Sequence, residues 1–226
     1  MVDITENLQR VRELMAESAV KSGRSPEDIE LVAVSKGRSP ELIARALQAG
    51  QKTFGENRAQ ELRDKVGKID GDIEWHFIGH LQTNKVNMVV GNVSLIHSID
   101  SERLARAVAR RATHLGIRQD VLLQVNVSGE ESKYGVESDE VSRLVEAAMD
   151  EPQLRVRGLM TIAPVIVNIE ESRPYFRRLR ELRDDLAERF PKTDVSRLSM
   201  GMSQDYRIAI EEGANMVRVG TAIFSE

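Results

Sequence analysis

Residues 31–50 read Leu31-Val32-Ala33-Val34-Ser35-Lys36-Gly37-Arg38-Ser39-Pro40-Glu41-Leu42-Ile43-Ala44-Arg45-Ala46-Leu47-Gln48-Ala49-Gly50. Two structural elements and the turn between them are legible in that run. Leu31–Ser35 is apolar without alternation, the pattern of a strand buried on both faces of a parallel sheet. Ser39-Pro40-Glu41 is a helix start: an N-cap hydroxyl, a proline at the first helical position and an acid in the first turn. Leu42, Ile43, Ala46 and Leu47 then share one face, and Gly50 stops the helix. Lys36 stands between strand and helix.

The same unit recurs along the chain. Strands are expected at Leu31–Ser35, Thr53–Phe54, Trp75–Ile78, Leu95–Ile99, Val121–Val127, Val156–Met160, Arg197–Met200 and Met216–Val219. Helical stripes lie between them. Ser101 opens one, with Leu104, Val108, Ala112 and Leu115 on one side and Gly116 after it. Val141, Leu144, Val145 and Ala148 form another, and Phe176, Leu179, Leu182, Leu186 and Phe190 the clearest. Alternating strands and helices imply a parallel sheet, and eight such units imply a closed (β/α)8 TIM barrel. Seven residues follow the last strand, too few for an eighth outer helix. Asp3–Val20 carries Ile4, Leu8, Val11, Met15 and Ala19 in a stripe, with Asp3 and Glu6 set as a capping box. This additional N-terminal helix is expected to cover the gap. No linker or repeat divides the chain, so residues 1–226 are read as a single domain.

Composition narrows the function. A chain of 226 residues, 41% hydrophobic, can bury one sizeable core. It has no cysteine, which excludes disulfides, thiolate metal sites and cysteine nucleophiles. No run approaches the roughly 20 apolar residues that span a bilayer, and the N-terminus lacks the pattern of a signal peptide. A cytoplasmic address, no membrane partner and a monomer are expected. The net charge of −4 gives no electrostatic footprint for nucleic acid, and the basic clusters at Arg110-Arg111 and Arg177-Arg178 read as solvated helix faces. His76 and His80 are four apart, but Gly79 and the strand around Phe77 argue against one helical face, and with His97 in the barrel wall and His114 on a helix surface the four histidines are not read as a metal site. The direction of His97, into the barrel or out of it, stays open. No P-loop or Ser-His-Asp arrangement is legible.

Active sites of such barrels form at the C-terminal ends of the strands, which is where Lys36 falls. A lysine beside apolar walls can condense with an aldehyde, although a lone strand-end lysine usually snorkels to solvent. Two further features tip the balance. Ser199, Gly201 and Ser203 after the seventh strand, with Gly220 and Thr221 after the eighth, form an anion cradle where barrels bind phosphate, and a short helix beginning at Thr221 would add N–H groups. Arg218 lies within the last strand, where a charge is seldom buried without a partner. One reading pairs it with Glu56 inside the barrel. The other sets it against the pyridine nitrogen of a cofactor. A guanidinium, being donor-only, would keep that nitrogen unprotonated and favour holding the cofactor over carbanion chemistry.

The motifs together resemble a known family. They are Ala33-Val34-Ser35-Lys36, Phe54-Gly55-Glu56-Asn57 with Gln60-Glu61, and Trp75-His76-Phe77-Ile78-Gly79 with Leu81-Gln82-Asn84-Lys85. Gln124-Val125-Asn126 with Glu131-Lys133-Gly135 and Gly158-Leu159-Met160 follow. Leu198-Ser199-Met200-Gly201-Met202-Ser203 with Asp205, and Val217-Arg218-Val219-Gly220, complete the set. In order and across nearly the whole chain, these resemble the pyridoxal phosphate homeostasis proteins. The resemblance implies a barrel like the N-terminal domain of alanine racemase, with pyridoxal 5'-phosphate (PLP) as a Schiff base on Lys36 and its ring nitrogen near Arg218. It implies a phosphate site at Ser199, Ser203, Gly220 and Thr221, with Met200 in the same loop. Asn57, Ile78, Gly79 and His80 would lie beside the cofactor. The implied role is a carrier or buffer of PLP, a vitamin B6 form, with PLP-dependent apo-enzymes as recipients. The alternative is a PLP-dependent amino-acid racemase, which would need a second acid/base group opposite Lys36. A second PLP site at Lys85 or Lys133 is left open.

Overall fold

The computed structural model describes residues 2–130, 133–164 and 166–225; Glu131, from the motifs above, lies outside the described residues. Nine strands run in chain order: β1 Glu30–Val34, β2 Thr53–Glu56, β3 Glu74–Phe77, β4 Leu95–Ile99, β5 Gln119–Asn126, β6 Val136–Glu137, β7 Leu154–Met160, β8 Arg197–Ser199 and β9 Met216–Val219. All pairings are parallel. β1 joins β2 on one side and β9 on the other, and β4 joins β5, so eight strands close on themselves as a (β/α)8 barrel. The two-residue β6 pairs only with β5 and was not expected from the sequence. It is too short to show any periodicity.

The helices are α1 Ile4–Lys21, α2 Pro40–Gln48, α3 Ala59–Lys65, α4 Val86–Val89, α5 Glu102–Leu115, α6 Val141–Met149, α7 Arg173–Arg189, α8 Tyr206–Glu211 and α9 Thr221–Phe224. α1 buries Ile4, Leu8, Val11, Met15 and Ala19 and packs against α2, α8 and α9, closing the side that lacks a long helix after β9. Its cap is simpler than a capping box: Asp3 accepts from the N–H groups of Thr5 and Glu6. Ser39 stands at the N-cap of α2, but its hydroxyl makes no cap bond and turns to Glu41, holding that carboxyl below its usual range.

Closure creates two apolar layers. Leu31, Ala33, Phe77, Ile96, Val217 and Val219 face outward into the strand–helix core. Val32, Ile78, Leu95, Leu122, Met160 and Met216 fill the interior, with Val34 against them. This is the two-residue alternation of strands, with both faces buried. Its consequence for function is that His76, His97, Ser199 and Arg218 all share parity with the interior set. The four are buried together inside the barrel.

The register of β7 shifts between Val121 and Leu122 of its neighbour, adding one residue at Arg157. Gly158 absorbs it at φ 148°, where a Cβ would stand 1.9 Å from the Arg197 carbonyl oxygen. Gly158→Ala is expected to lower stability by about 3 kcal/mol through backbone strain and overlap. A urea unfolding midpoint equal to that of the parent protein would refute this.

Candidate functional site

The mouth of the barrel opens into a cleft of about 720 Å³ lined by Lys36, Ser203, Arg218, Gly220 and Thr221, with Val34, Arg38, Ala163, Met202, Asp205 and Tyr206 around them. Five of the residues singled out from the sequence are thus brought to one cavity, although 182 positions separate Lys36 from Arg218 (218 − 36).

Lys36 follows β1 in an exposed turn, and a buried ionic clip fixes the backbone beneath it. The Lys65 ammonium at the end of α3 donates to the Ser35 carbonyl at 2.8 Å, to Glu56 at 2.6 Å and to Glu61 at 2.7 Å. The Ser35 hydroxyl donates to Glu56 at 2.7 Å, and the Gly37 N–H donates to Glu61 at 2.5 Å. Residues 35 and 37 are therefore both tied down, while the side chain between them makes no hydrogen bond or ion pair among the described residues. Glu56 is fully buried and its Oε2 has no partner among the described residues. Burial pushes this carboxyl above its usual range, opposed by Lys65 and Ser35.

Glu56 is consequently not the partner of Arg218. The arginine donates from Nη2 to the Thr161 carbonyl at 2.8 Å and from Nη1 to Ser199 Oγ at 2.5 Å. Among the described residues no carboxylate reaches ion-pair distance of it. At 3% exposure, burial pushes the guanidinium down to about 10, with Asp205 opposing. It remains protonated at neutral pH.

The cradle is made by two turns. Gly220 donates its N–H to Ser203 Oγ at 3.2 Å, so the hydroxyl accepts from the backbone and keeps its own proton for another acceptor. A Cβ on Gly220 would meet Val34 at 3.1 Å, so a larger residue would crowd the β1 end. α9 is a single turn, and the N–H groups of Thr221 and Ala222 at its start find no acceptor among the described residues.

The other sequence-predicted residues lie elsewhere. Ser199 and Met200 are fully buried and do not line the cleft; the Ser199 hydroxyl sits beneath Arg218, between it and His97. Ile78 is in the interior layer that packs against Val34. Gly79 lies against the Asn57 backbone, and Asn57 Oδ1 is a buried acceptor without a partner among the described residues. His80 pairs with Asp100 at 3.2 Å and stacks on Tyr134 with ring centroids 3.9 Å apart. His76 and His80 point to different places and share no site.

With this geometry in hand, similarity to known proteins is informative. The family model for the alanine racemase N-terminal domain matches residues 3–226. The chain is 47% identical to the pyridoxal phosphate homeostasis protein of Aquifex aeolicus over 222 residues, 98% of this chain and 97% of that one. It is 41% identical to the Escherichia coli K12 protein of the same name, over 99% and 97% of the two chains. The chain belongs to the pyridoxal phosphate homeostasis protein family. PipY of Synechococcus elongatus, solved with PLP bound, superposes with a TM-score of 0.87 at 33% identity, covering 99% of this chain and 100% of that one. A Clostridium difficile alanine racemase shares the fold at 18% identity and a TM-score of 0.75; this chain spans 56% of its length.

Sequence reasoning about this family member missed the Lys65 clip. The signal available was the Glu61/Lys65 pair, spaced i,i+4 on one helix face, which by itself reads as a surface pair. Lys65→Met is expected to lower stability by roughly 3–5 kcal/mol at neutral pH, because it strands a buried Glu56 carboxylate. A carboxyl raised in the fold is least costly in acid, and its cost grows as pH rises from the unfolded value through the folded one. The deficit relative to the parent should therefore narrow at low pH. Chemical unfolding across a pH series checks this, and a deficit independent of pH would remove Glu56 as its cause.

Proposed function

We propose that this chain is a single PLP-binding domain that holds PLP covalently through Lys36 and acts as a reversible carrier in cellular PLP homeostasis. One observation supports this above the rest: a single cleft joins an exposed lysine amine, a buried guanidinium with no carboxylate at ion-pair distance among the described residues, and a pair of turns with unengaged donors. The names of the relatives and the PLP-bound PipY structure support the same reading.

The residues fit the group. Thr221 and Ala222 offer backbone N–H groups and Ser203 a hydroxyl proton, the donor set a phosphate dianion needs. Gly220 keeps the wall by Val34 low enough for close approach. Arg218 faces the cleft with donors only, so a pyridine nitrogen there stays unprotonated. Ser199 acts from below, supporting Arg218, while Asn57 and the Ile78–His80 turn, which the resemblance sets beside the cofactor, are not among the residues that line the cleft. When bound, the cofactor supplies an aldehyde that takes up an amine reversibly, and Lys36 supplies that amine. The clip under Ser35 and Gly37 holds the amine's backbone at the mouth of the cleft while leaving its side chain mobile enough to release.

The chain works in this reading as a cytoplasmic monomer that passes PLP to apo-enzymes. No helix among the described residues is long and apolar enough to cross a membrane. Racemisation would require a second acid/base group opposite Lys36. Tyr206 is the tyrosine that lines the cleft, but it is buried on α8 with Arg207, Arg10 and Glu17 as charged neighbours, and burial pushes its phenol above the usual range. The carrier reading is preferred on that ground.

Borohydride reduction of the PLP-loaded protein followed by peptide mapping should place the modification on Lys36. Lys36→Ala should abolish the visible absorption band, and an unchanged spectrum in that variant would reject the assignment. Ser203→Ala should weaken PLP binding about tenfold through loss of one charge-assisted hydrogen bond, without moving the band. Equilibrium dialysis measures the affinity, and unaltered affinity would remove Ser203 from the phosphate site.

A further inference from the structure

The interior of the barrel contains a polar line that the cleft does not explain. Below Arg218, Ser199 Oγ lies 2.9 Å from His97 Nδ1, and His97 Nε2 lies 3.1 Å from His76 Nδ1. His76 Nε2 lies 3.4 Å from Glu74 Oε1 at the opposite end of the barrel. The two imidazoles are fully buried, with ring centroids 5.1 Å apart. Glu30 stands 4.0 Å from His76 and is held by Arg197.

Hydrogen positions follow from the two ends. A guanidinium can only donate and an ionised carboxylate can only accept. Arg218 donates to Ser199, so the serine hydroxyl must spend its one proton elsewhere, and His97 Nδ1 is the acceptor in reach among the described residues. His97 is then the Nε2–H tautomer and donates to His76 Nδ1. His76 in turn carries its proton on Nε2 and donates to Glu74. Starting instead from Glu74 gives the same order in reverse. Each bond polarises the next in one direction. A protonated His76 would reverse the line, leave the Ser199 hydroxyl without an acceptor, and add a second cation to a site that already encloses Arg218. Burial, with the charges of Arg218 and Arg197 behind it, holds His97 well below its usual value. The hydrogen bond from His76 brings Glu74 down to about 2.

We propose that His97 and His76 are positioning residues, forming a one-way hydrogen-bond relay from Arg218 through Ser199 to Glu74 that fixes the guanidinium against the cofactor's ring nitrogen. The role toward the ring rests on the PLP reading above; the relay itself does not. It supplies Arg218 with a counter-charge at the far end of the barrel in addition to Asp205 in the cleft, and with no carboxylate bonded directly to it among the described residues the guanidinium keeps donors for the cleft that it lines.

Two measurements on the PLP-loaded protein test this. Histidine 15N NMR at neutral pH should find His97 and His76 both neutral, protonated on Nε2 and bare on Nδ1. A charged His76, or either ring protonated on Nδ1, overturns the relay, and no variant is needed. His97→Phe should weaken PLP binding about tenfold and move the absorption maximum. His97→Gln, which can accept from Ser199 and donate to His76, should recover most of both. A Phe variant with parental affinity and band, or a Gln variant no better than Phe, removes the positioning role. Borohydride labelling separates the two failures. If the parent protein is not labelled at Lys36, the PLP reading is at fault. If Lys36 is labelled and the Phe variant is unaltered, the relay's role is at fault.

Discussion

A guanidinium enclosed in a closed barrel is costly unless each inward donor is bonded, and Arg218 meets that demand without an ion pair. The Thr161 carbonyl takes one N–H and Ser199 another. The charge is met without direct ion pairing, by Asp205 across the cleft and by hydroxyl and imidazole dipoles beneath. An adjacent Asp or Glu would have bound the same donors more tightly and left less positive potential at the mouth. In the proposed reading the arrangement would attract an electron-rich ring nitrogen while leaving it unprotonated. A pyridine ring in that state is a poor electron sink, in keeping with holding a cofactor more than reacting through it.

The ionic groups divide cleanly between two tasks. Under Lys36, a buried ammonium and two carboxylates act on backbone: Lys65 and Glu61 fix the Ser35 carbonyl and the Gly37 N–H. Under Arg218, neutral groups act on a side chain. The first device leaves an amine mobile on a rigid turn, and the second makes a cation rigid. In the proposed carrier reading both are needed, since the amine would move between attached and free states while the phosphate and ring sites stay in place.

Far from the mouth, Glu212 collects Arg173, Arg177 and Arg180 from α7, and Glu211 takes Lys21 from α1 and Arg173. This network ties α7 and α1 to the C-terminal end of α8. It explains why α7 is so rich in arginine in a chain of net negative charge. The basic cluster there is answered by acids from another element, a pairing that reading α7 alone would not reveal.

The chain's periodicities determined the architecture. Unbroken apolar runs marked strands buried on both faces, and stripes such as Phe176 to Leu186 marked the helices between them. Local pattern suffices for this because each element's period follows from its own backbone geometry. Residue type likewise marked Lys36, Arg218 and the small residues near 200 and 220 as candidates. Tertiary structure alone decided their partners. Glu56 faces Lys65 and not Arg218, Ser199 lies below the cleft instead of lining it, and His97 points inward to meet His76. Those outcomes depend on which strands become neighbours when the barrel closes and on how its registers stagger. Closure brings positions more than a hundred residues apart within one hydrogen bond, and no local pattern encodes it.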